Sequence, residues 1–430
     1  MTFKKIFFLT FFILIASSVI IIFIKLVSAE TIESVNSSSL NLDDCYKLAL
    51  KQSETLAINR EKIIQAEAHF LQALGTALPQ VSLSRTDTRH YSDNSPSSNK
   101  SFEQKFIFTQ QLFAGFKEFA AISGSHLESK QRRNEQLRAE QILFENVSDA
   151  FYLLVETRDD LKILKTIHIS LNDRVKDLSE RFKLGKSRKS EVVNTEVQLY
   201  NTEADIETAK NQEMIAKELL EFLTGQTISD ITDTQVNFIL KSETEYMNHA
   251  ATRADVKAAD YAWKVSQKQV AIARSGFFPT VNLEGDYYTH RTSSPVDSDW
   301  STLLTVSVPI FKGTSTMGNL KEANSIAKQY ELYYNLALRN ALQDIHDAYT
   351  NVQFSISRSN ALAKALESAE LDFKLQTQDY ASNLVNNLDV LTAIQDLAAV
   401  KRNYSHTAAE NKRFYWQLLV ASGDINLGNK

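Results

Sequence analysis

Leu78-Pro79-Gln80-Val81-Ser82-Leu83 and, two hundred residues on, Phe278-Pro279-Thr280-Val281-Asn282-Leu283 decide the fold. In each, a proline that no helix continues through is followed at once by apolar and polar residues in alternation, which marks a helix stop and a strand start. The correspondence runs outward from these segments. Leu112-Phe113-Ala114-Gly115 answers to Ile310-Phe311-Lys312-Gly313, now at a spacing of 198, and Asp149-Ala150-Phe151 answers to Asp347-Ala348-Tyr349. The register holds as far as Leu219-Leu220 with Gly225 against Leu418 and Gly423. A period this long is no solenoid unit. The chain is a duplicated half-protein, and its expected organisation is a signal segment (1–29), a first repeat (30–240) and a second repeat (241–430).

Each repeat reads as helix, hairpin, long helix and return helix. Asn41 or Asp43 caps a first helix running to about Leu74 and ending at Gly75. Strands follow over Val81 to Tyr91 and Phe102 to Phe113, with a Ser/Asn/Pro loop from Ser92 to Ser101 between them. Past Gly115, Leu171, Val175, Leu178 and Phe182 step four, three, four, the spacing of a coiled coil. Some 65 residues without a proline give a helix of roughly 100 Å. Gly185 turns the chain, and Val192, Leu199 and Ile206 carry the return helix to Gly225. A connector from Gln226 to about Asn248 leads into the second repeat. There a helix ends near Gly276, strands cover Val281 to His290 and Trp300 to Phe311, and a long helix spans about Thr316 to Tyr380. A last helix carries Val390, Ile394, Leu397 and Tyr404 to Gly423.

The strands are the more informative part, because one face of each is apolar with no layer to cover it. Trp300, Leu304, Val306, Val308 and Ile310 oppose Ser301, Thr305 and Ser307. Phe102, Phe106, Phe108 and Leu112 oppose Glu103, Lys105, Thr109 and Gln111. Val281, Leu283 and Tyr287 oppose Asn282, Glu284 and Asp286. Apolar-out, polar-in strands of ten to twelve residues describe a transmembrane β-barrel with a wet lumen, with Trp300 and Tyr287 as interface anchors. The first strand departs from this, since Arg85, Asp87 and Arg89 follow Val81 and Leu83 on the apolar face. Its far end is expected to stand above the apolar band. Four strands cannot close a barrel, and an open sheet leaves its edges unsatisfied in lipid. Twelve strands from three chains is the smallest symmetric count that closes and leaves a pore. A soluble protein with the hairpins packed under the helices leaves the duplicated amphipathic strands unexplained.

Composition agrees with few, long elements: 11 Gly and 5 Pro in 430 residues, with 43% hydrophobic content. A net charge of −5 and a pI near 6.0 give no basic stripe for nucleic acid. The single Cys45 excludes an intramolecular disulfide and reads as a buried small hydrophobe. Lys4 and Lys5, an apolar run from Ile6 to Ile24 and Val27-Ser28-Ala29 form an export signal, with an uncleaved anchor as the alternative. No cofactor, metal or catalytic motif stands out. Gly185-Lys186-Ser187 lacks the earlier glycine and the preceding strand of a phosphate loop, and the eight histidines have no metal-ligand spacing.

Over the mature chain, from about Ser39 to Gly423, the sequence resembles the TolC family of outer-membrane efflux and secretion channels. The resemblance is carried by Leu42-Asp43-Asp44 with Ala49-Leu50, by the two proline-led strand starts, and by the Phe-x-Gly endings at 113–115 and 311–313. Arg181-Phe182-Lys183-Leu184-Gly185 with Glu191-Val192, and Asp379-Tyr380 with Leu388-Asp389-Val390-Leu391, complete it. It implies an α+β membrane protein: a homotrimeric 12-stranded β-barrel in outer-membrane lipid of a Gram-negative bacterium, continued by a 12-helix coiled-coil α-barrel in the periplasm. It implies a passive exit duct rather than an enzyme. Its partners would be a periplasmic adaptor (membrane fusion protein) and an inner-membrane ABC or proton-driven transporter, in tripartite efflux or type I secretion.

The same resemblance places a gate at the turns. Asp389 matches the aspartate that narrows the aperture, making the closed end cation-selective, while the second acidic ring falls on Thr392. Tyr380 matches a gate tyrosine, with Glu191 as a carboxylate partner for its hydroxyl. Val385 stands where a relative has an arginine, so the lock is expected to lack its cation. Gly185 and Asn383 mark the helix turns that meet the adaptor, and with Asn in place of Gly the two turns need not be equivalent. The rival reading is a periplasmic coiled-coil adaptor anchored in the inner membrane by residues 6–24.

Overall fold

The computed structural model describes residues 39–92, 95–233, 239–292 and 299–425. The export signal falls outside these residues. No helix within them is long and apolar enough to cross a membrane.

Asn41 starts α1 (Leu42–Gln52) with a capping box: its side chain accepts from the Asp44 amide, and the Asp44 carboxylate accepts from the Asn41 amide. The single first helix expected from the sequence is two. Ser53 leaves the helical region at ψ 109° and its hydroxyl caps α2 (Glu54–Ala77), which runs through Gly75. A serine satisfies an amide of the new helix as readily as it continues the old one, which is why the break was not legible. Pro79 then leads into β1 (Gln80–Ser92) and β2 (Ser95–Ala114). These strands are longer than expected, and Ser92 pairs with Ser95 where a ten-residue loop was read. After Gly115 come α3 (Lys117–Lys183), α4 (Lys189–Thr224) and, in the connector, α5 (Glu243–Met247). The second half follows with α6 (Ala254–Ser275), β3 (Thr280–Arg291), β4 (Trp300–Ser307), α7 (Ser315–Ala381) and α8 (Asn387–Ser422). β4 ends at Ser307 rather than at Phe311, because Pro309 has no amide to donate to a ladder.

The four strands form one antiparallel sheet in the order β1-β2-β3-β4, so β2 and β3 join the two halves. A continuous row, Leu83, Phe106, Tyr287 and Trp300, crosses all four strands on one face. Below it run Val81, Phe108, Gly285 and Thr302, then Leu283 with Leu304, then Phe113, Val281 and Val306. A bulge between Gln111 and Phe113 puts Phe113, not Leu112, beside Val281. Arg85 lies two residues beyond the Leu83 row, where it pairs with Asp87 and covers the Phe102 ring at 5.0 Å. Arg85 and Asp87 thus follow Leu83 on the same face, with Asp87 opposite Phe102. The opposite face holds the charge: Lys105 donates to Asp286 at 2.7 Å, and Arg291 approaches Glu103 at 3.4 Å.

Below the sheet, the duplicated register builds two matching cores. Tyr46, Val147 and Leu220 bury one, and their counterparts Tyr246, Ile345 and Leu418 the other. Cys45 is fully buried in the first, and desolvation pushes its thiol up to about 12, so it is an inert hydrophobe. Arg138 and the buried Arg253 donate to the Val420 and Ala421 carbonyls in the last turn of α8, where Val420 also accepts from the Gly423 amide. α3 and α7 each have 67 residues, about 100 Å of helix, and return as α4 and α8.

Phe108 sits in the middle of the apolar face. Phe108→Arg is expected to weaken insertion or assembly in lipid by about 2–4 kcal/mol, measured as folded fraction in vesicles against urea, whereas Arg85→Leu leaves it within about 1 kcal/mol.

Candidate functional site at the helix turns

Both turns close the same way. Gly185 takes φ +72°, its amide bonds to the Phe182 carbonyl at 2.9 Å and the Lys186 amide to the Arg181 carbonyl at 2.8 Å. Asn383 takes φ +60°, with matching bonds from Asn383 to Tyr380 at 3.0 Å and from Leu384 to Asp379 at 2.9 Å. The expected inequality is therefore not one of backbone. Asparagine is the non-glycine residue that best tolerates the left-handed region, so both turns are Schellman caps. What differs is the side chains. At the spacing of 198, Phe182 and Tyr380 occupy the same place, yet Phe182 is 44% exposed and Tyr380 only 8%.

Tyr380 is buried because the two helix pairs converge on it. Leu171 and Leu178 of α3, Val192 and Leu199 of α4, and Val390, Leu391 and Ile394 of α8 share one core with it. Two guanidinium groups approach its ring, Arg174 at 3.7 Å from the ring centre and Arg181 at 4.9 Å. Asp177 fixes both cations, accepting from Arg181 Nε at 3.1 Å and from Arg174 at 3.4 Å. Arg174 Nε donates to Asn387 Oδ1 at 2.9 Å, Asn387 Nδ2 donates to Thr195 Oγ1 at 3.2 Å, and Thr195 Oγ1 donates to the Glu191 carbonyl at 2.9 Å. One guanidinium thereby links α3, α7 and α8 directly, and α4 through Asn387. Burial pulls Arg174 below the ordinary arginine range, while Tyr380, Asp177 and Glu191 oppose that; the group stays a cation. One of its terminal nitrogens, Nη2, is buried without a hydrogen-bond partner.

The residues singled out from the sequence divide accordingly. Tyr380 is at the centre, but Glu191 does not take its hydroxyl: the Glu191 carboxylate accepts from Ser187 Oγ at 2.5 Å. Val385 is half-buried against the same core. The cations that do reach Tyr380 are Arg174 and Arg181, which sequence reading missed because they lie some two hundred residues away on another helix. Asp389 closes a capping box at the start of α8, accepting from the Asn386 amide at 3.0 Å, and is partly exposed. Thr392 is exposed and bonds back to the Leu388 carbonyl.

The turn geometry sets a test of its own. Asn383→Ala is expected to cost about 1 kcal/mol in denaturant unfolding, because alanine pays for the left-handed conformation, while Asn383→Gly is neutral or slightly stabilising. Equal effects of the two substitutions would contradict the αL assignment.

Comparison with known proteins follows the same division of the chain. The family model described as "Outer membrane efflux protein" matches residues 45–226 and 247–423, one segment in each half. Outer membrane protein TolC of Vibrio cholerae is 22% identical over 91% of this chain and 94% of that protein. Its counterpart in Escherichia coli is 21% identical over 86% and 80%. Among solved structures, CusC superposes with a TM-score of 0.81 at 16% identity, covering 92% of this chain and 95% of that one. The outer membrane protein VceC of Vibrio cholerae gives 0.79 at 22% identity, covering 89% and 96%. These matches run through both hairpins, and the coiled-coil adaptor reading finds no support among them. The chain belongs to the outer membrane efflux protein family.

Proposed function

We propose that three copies of this outer-membrane protein join edge to edge in a 12-stranded barrel, and that their helices continue it as a 12-helix duct in the periplasm. A periplasmic adaptor and an inner-membrane transporter, ABC or proton-driven, load and open this passive conduit for efflux or type I secretion. The observation that carries the reading is the pairing of an apolar sheet face with two open edges at one end of the long helices and a clasped four-helix convergence at the other. Even strand number supports closure: β1 and β4 of one chain run in opposite directions, so β4 of one copy meets β1 of the next as an antiparallel pair. The inner polar face, with Lys105, Asp286, Glu103 and Arg291, suits a water-filled lumen.

In this reading the clasp around Tyr380 is the lock. It holds the α7/α8 pair against the α3/α4 pair, and opening separates the ring from Arg174 and Arg181. Cation–π contacts at desolvated sites contribute about 1–2 kcal/mol. Asp389, partly exposed at the start of α8, supplies one carboxylate per copy to a ring at the closed end, which selects cations and binds multivalent ones. Gly185 and Asn383 present the turns to the adaptor.

Planar-bilayer recordings test both assignments. Tyr380→Leu and Arg174→Gln are expected to raise open probability about ten-fold, while Tyr380→Phe stays closed because the ring, not the hydroxyl, makes the lock. A Tyr380→Phe channel as open as Tyr380→Leu would contradict the clasp. Asp389→Asn keeps an acceptor for the Asn386 amide and is expected to lose cation selectivity and block by multivalent cations. Unchanged selectivity would remove Asp389 from the aperture.

A further inference from the structure

α6 packs between α3 and α7, whereas its counterpart in the first half, α2, packs against α3. The side of α6 that meets α3 carries Ala254, Ala258 and Lys268, and Ala258 is only 6% exposed. A Cβ added at Gly124 of α3 would stand 3.4 Å from the Lys268 Cβ, and Arg138 of α3 approaches Asp255 of α6 at 3.9 Å, which fixes an antiparallel register. The counterparts on α2, at a spacing of 200, are Glu54, Ile58 and Ala68. All three are exposed, Ile58 to 57%. α7 repeats α3 at a spacing of 198, and its matching side, with Glu322, Ile326, Tyr333 and Leu336, is open as well. The chain thus makes the α3–α6 joint once and leaves both members of a second such joint uncovered. α2 leads into edge strand β1, and α7 follows edge strand β4.

A difference in charge marks the same place. In the second half Arg253 fills the joint, donating to Asp255, to Asp344 and to the Ala421 carbonyl, while Arg138 donates to the Val420 carbonyl. The first half has Ser53, Thr55, Asn146 and Leu223 where the second has Arg253, Asp255, Asp344 and Ala421. With no arginine to occupy it, a cleft of about 700 Å³ opens there, lined by Ser53, Glu54, Asn146, Glu221 and Gly225. Among the described residues no side chain donates to the Phe222 or Leu223 carbonyl at the end of α4, although Thr224 bonds back to Leu220. Glu54 is exposed and, among the described residues, makes no ion pair. Arg339 of α7 stands where α3 has Gln141, a residue that lines the Arg253 site. It too is exposed and without an ion pair among the described residues.

We infer that the open side of α2 is the docking surface for α7 of a second copy, and that Arg339 of that copy completes the cleft at the end of α4. Carried over from the α3–α6 joint, the register sets Ala68 against Glu322 and Ile58 against Tyr333 and Leu336. Arg339 then comes to the level of Gln52, Ser53 and Glu54, where its guanidinium meets the Glu54 carboxylate and the open carbonyls of α4. A cation is favoured at a helix C-terminus, and a guanidinium paired with a carboxylate makes the stronger class of hydrogen bond. The first half lacks its own arginine because the next copy brings one. The inference rests on the copies joining edge to edge, and it goes further by fixing which helices meet, in which register and through which charge pair.

The test uses the full chain in outer membranes. An Ala68→Cys, Glu322→Cys chain is expected to form inter-chain disulfides on oxidation, because the joint it copies holds the two Cβ positions 3.4 Å apart, close to the about 3.5–4.5 Å of a disulfide. Glu54→Arg sets two cations together and is expected to lower the fraction of trimer that survives dilution in detergent about ten-fold, and Glu54→Arg with Arg339→Glu recovers most of it. No bond in the Ala68→Cys, Glu322→Cys chain, where a Ser82→Cys, Thr305→Cys chain does bond between its edge strands, overturns the inference and leaves the closed sheet standing. A trimer indifferent to Glu54→Arg, or a loss that the double variant does not recover, removes Arg339 from the cleft. A monomer that forms neither bond sinks the edge-to-edge reading and this inference with it.

Discussion

Backbone hydrogen bonding at the two edges of the sheet is the constraint on which the rest depends. The outer edges of β1 and β4 carry unpaired amides and carbonyls beside a face of Val, Leu, Phe, Tyr and Trp. Water tolerates the edges but not that face, and lipid tolerates the face but not the edges. Only pairing with further copies satisfies both. In the proposed rotational assembly the helices that leave the sheet would form a ring, and the length of α3 and α7 would be the length of the tube. The apolar residues that remain exposed along these helices are what neighbouring copies would cover.

Duplication makes the two halves of the chain alike along their length, and the departures from it gather at the helix turns. The cores around Tyr46 and Tyr246 lie at corresponding positions, with Val147 and Leu220 of one answering to Ile345 and Leu418 of the other. At the turns the same backbone carries opposite contents. Tyr380 is drawn inward by Arg174 and Arg181, while Phe182 faces out. Cations crowd the Gly185 turn and are absent from the Asn383 turn. A helix turn needs only a residue that accepts a left-handed conformation, so the side chains at the remaining positions were free to diverge.

Much of the fold was legible because its boundaries are set by residues that act locally. Gly185, Gly225 and Gly423 take positive φ where the helical patterns stop, and Pro79 and Pro279 precede the strands. The alternation in the strands exposed their two faces for the same reason. What escaped depended on balances or on distance. Ser53 can lie within a helix or cap one. Bulges in β2 and β3 reset the face by one residue with no signal in composition. The Arg174–Tyr380 contact joins positions 206 apart and follows only from how the two helix pairs cross. Among linear signals, only Val385, standing where a relative has an arginine, hinted that a cation would have to reach Tyr380 from elsewhere.

Closure between copies is the claim on which the account stands. Cys45 is the sole native cysteine and is buried, so a Ser82→Cys, Thr305→Cys chain carries new thiols only on the two edge strands. Oxidation in outer membranes, read by non-reducing electrophoresis together with the mass of the detergent-extracted particle, measures edge contact directly. The account predicts inter-chain bonds between β1 and β4 in a particle of three chains. A monomer without inter-chain bonds under the same oxidation would contradict it.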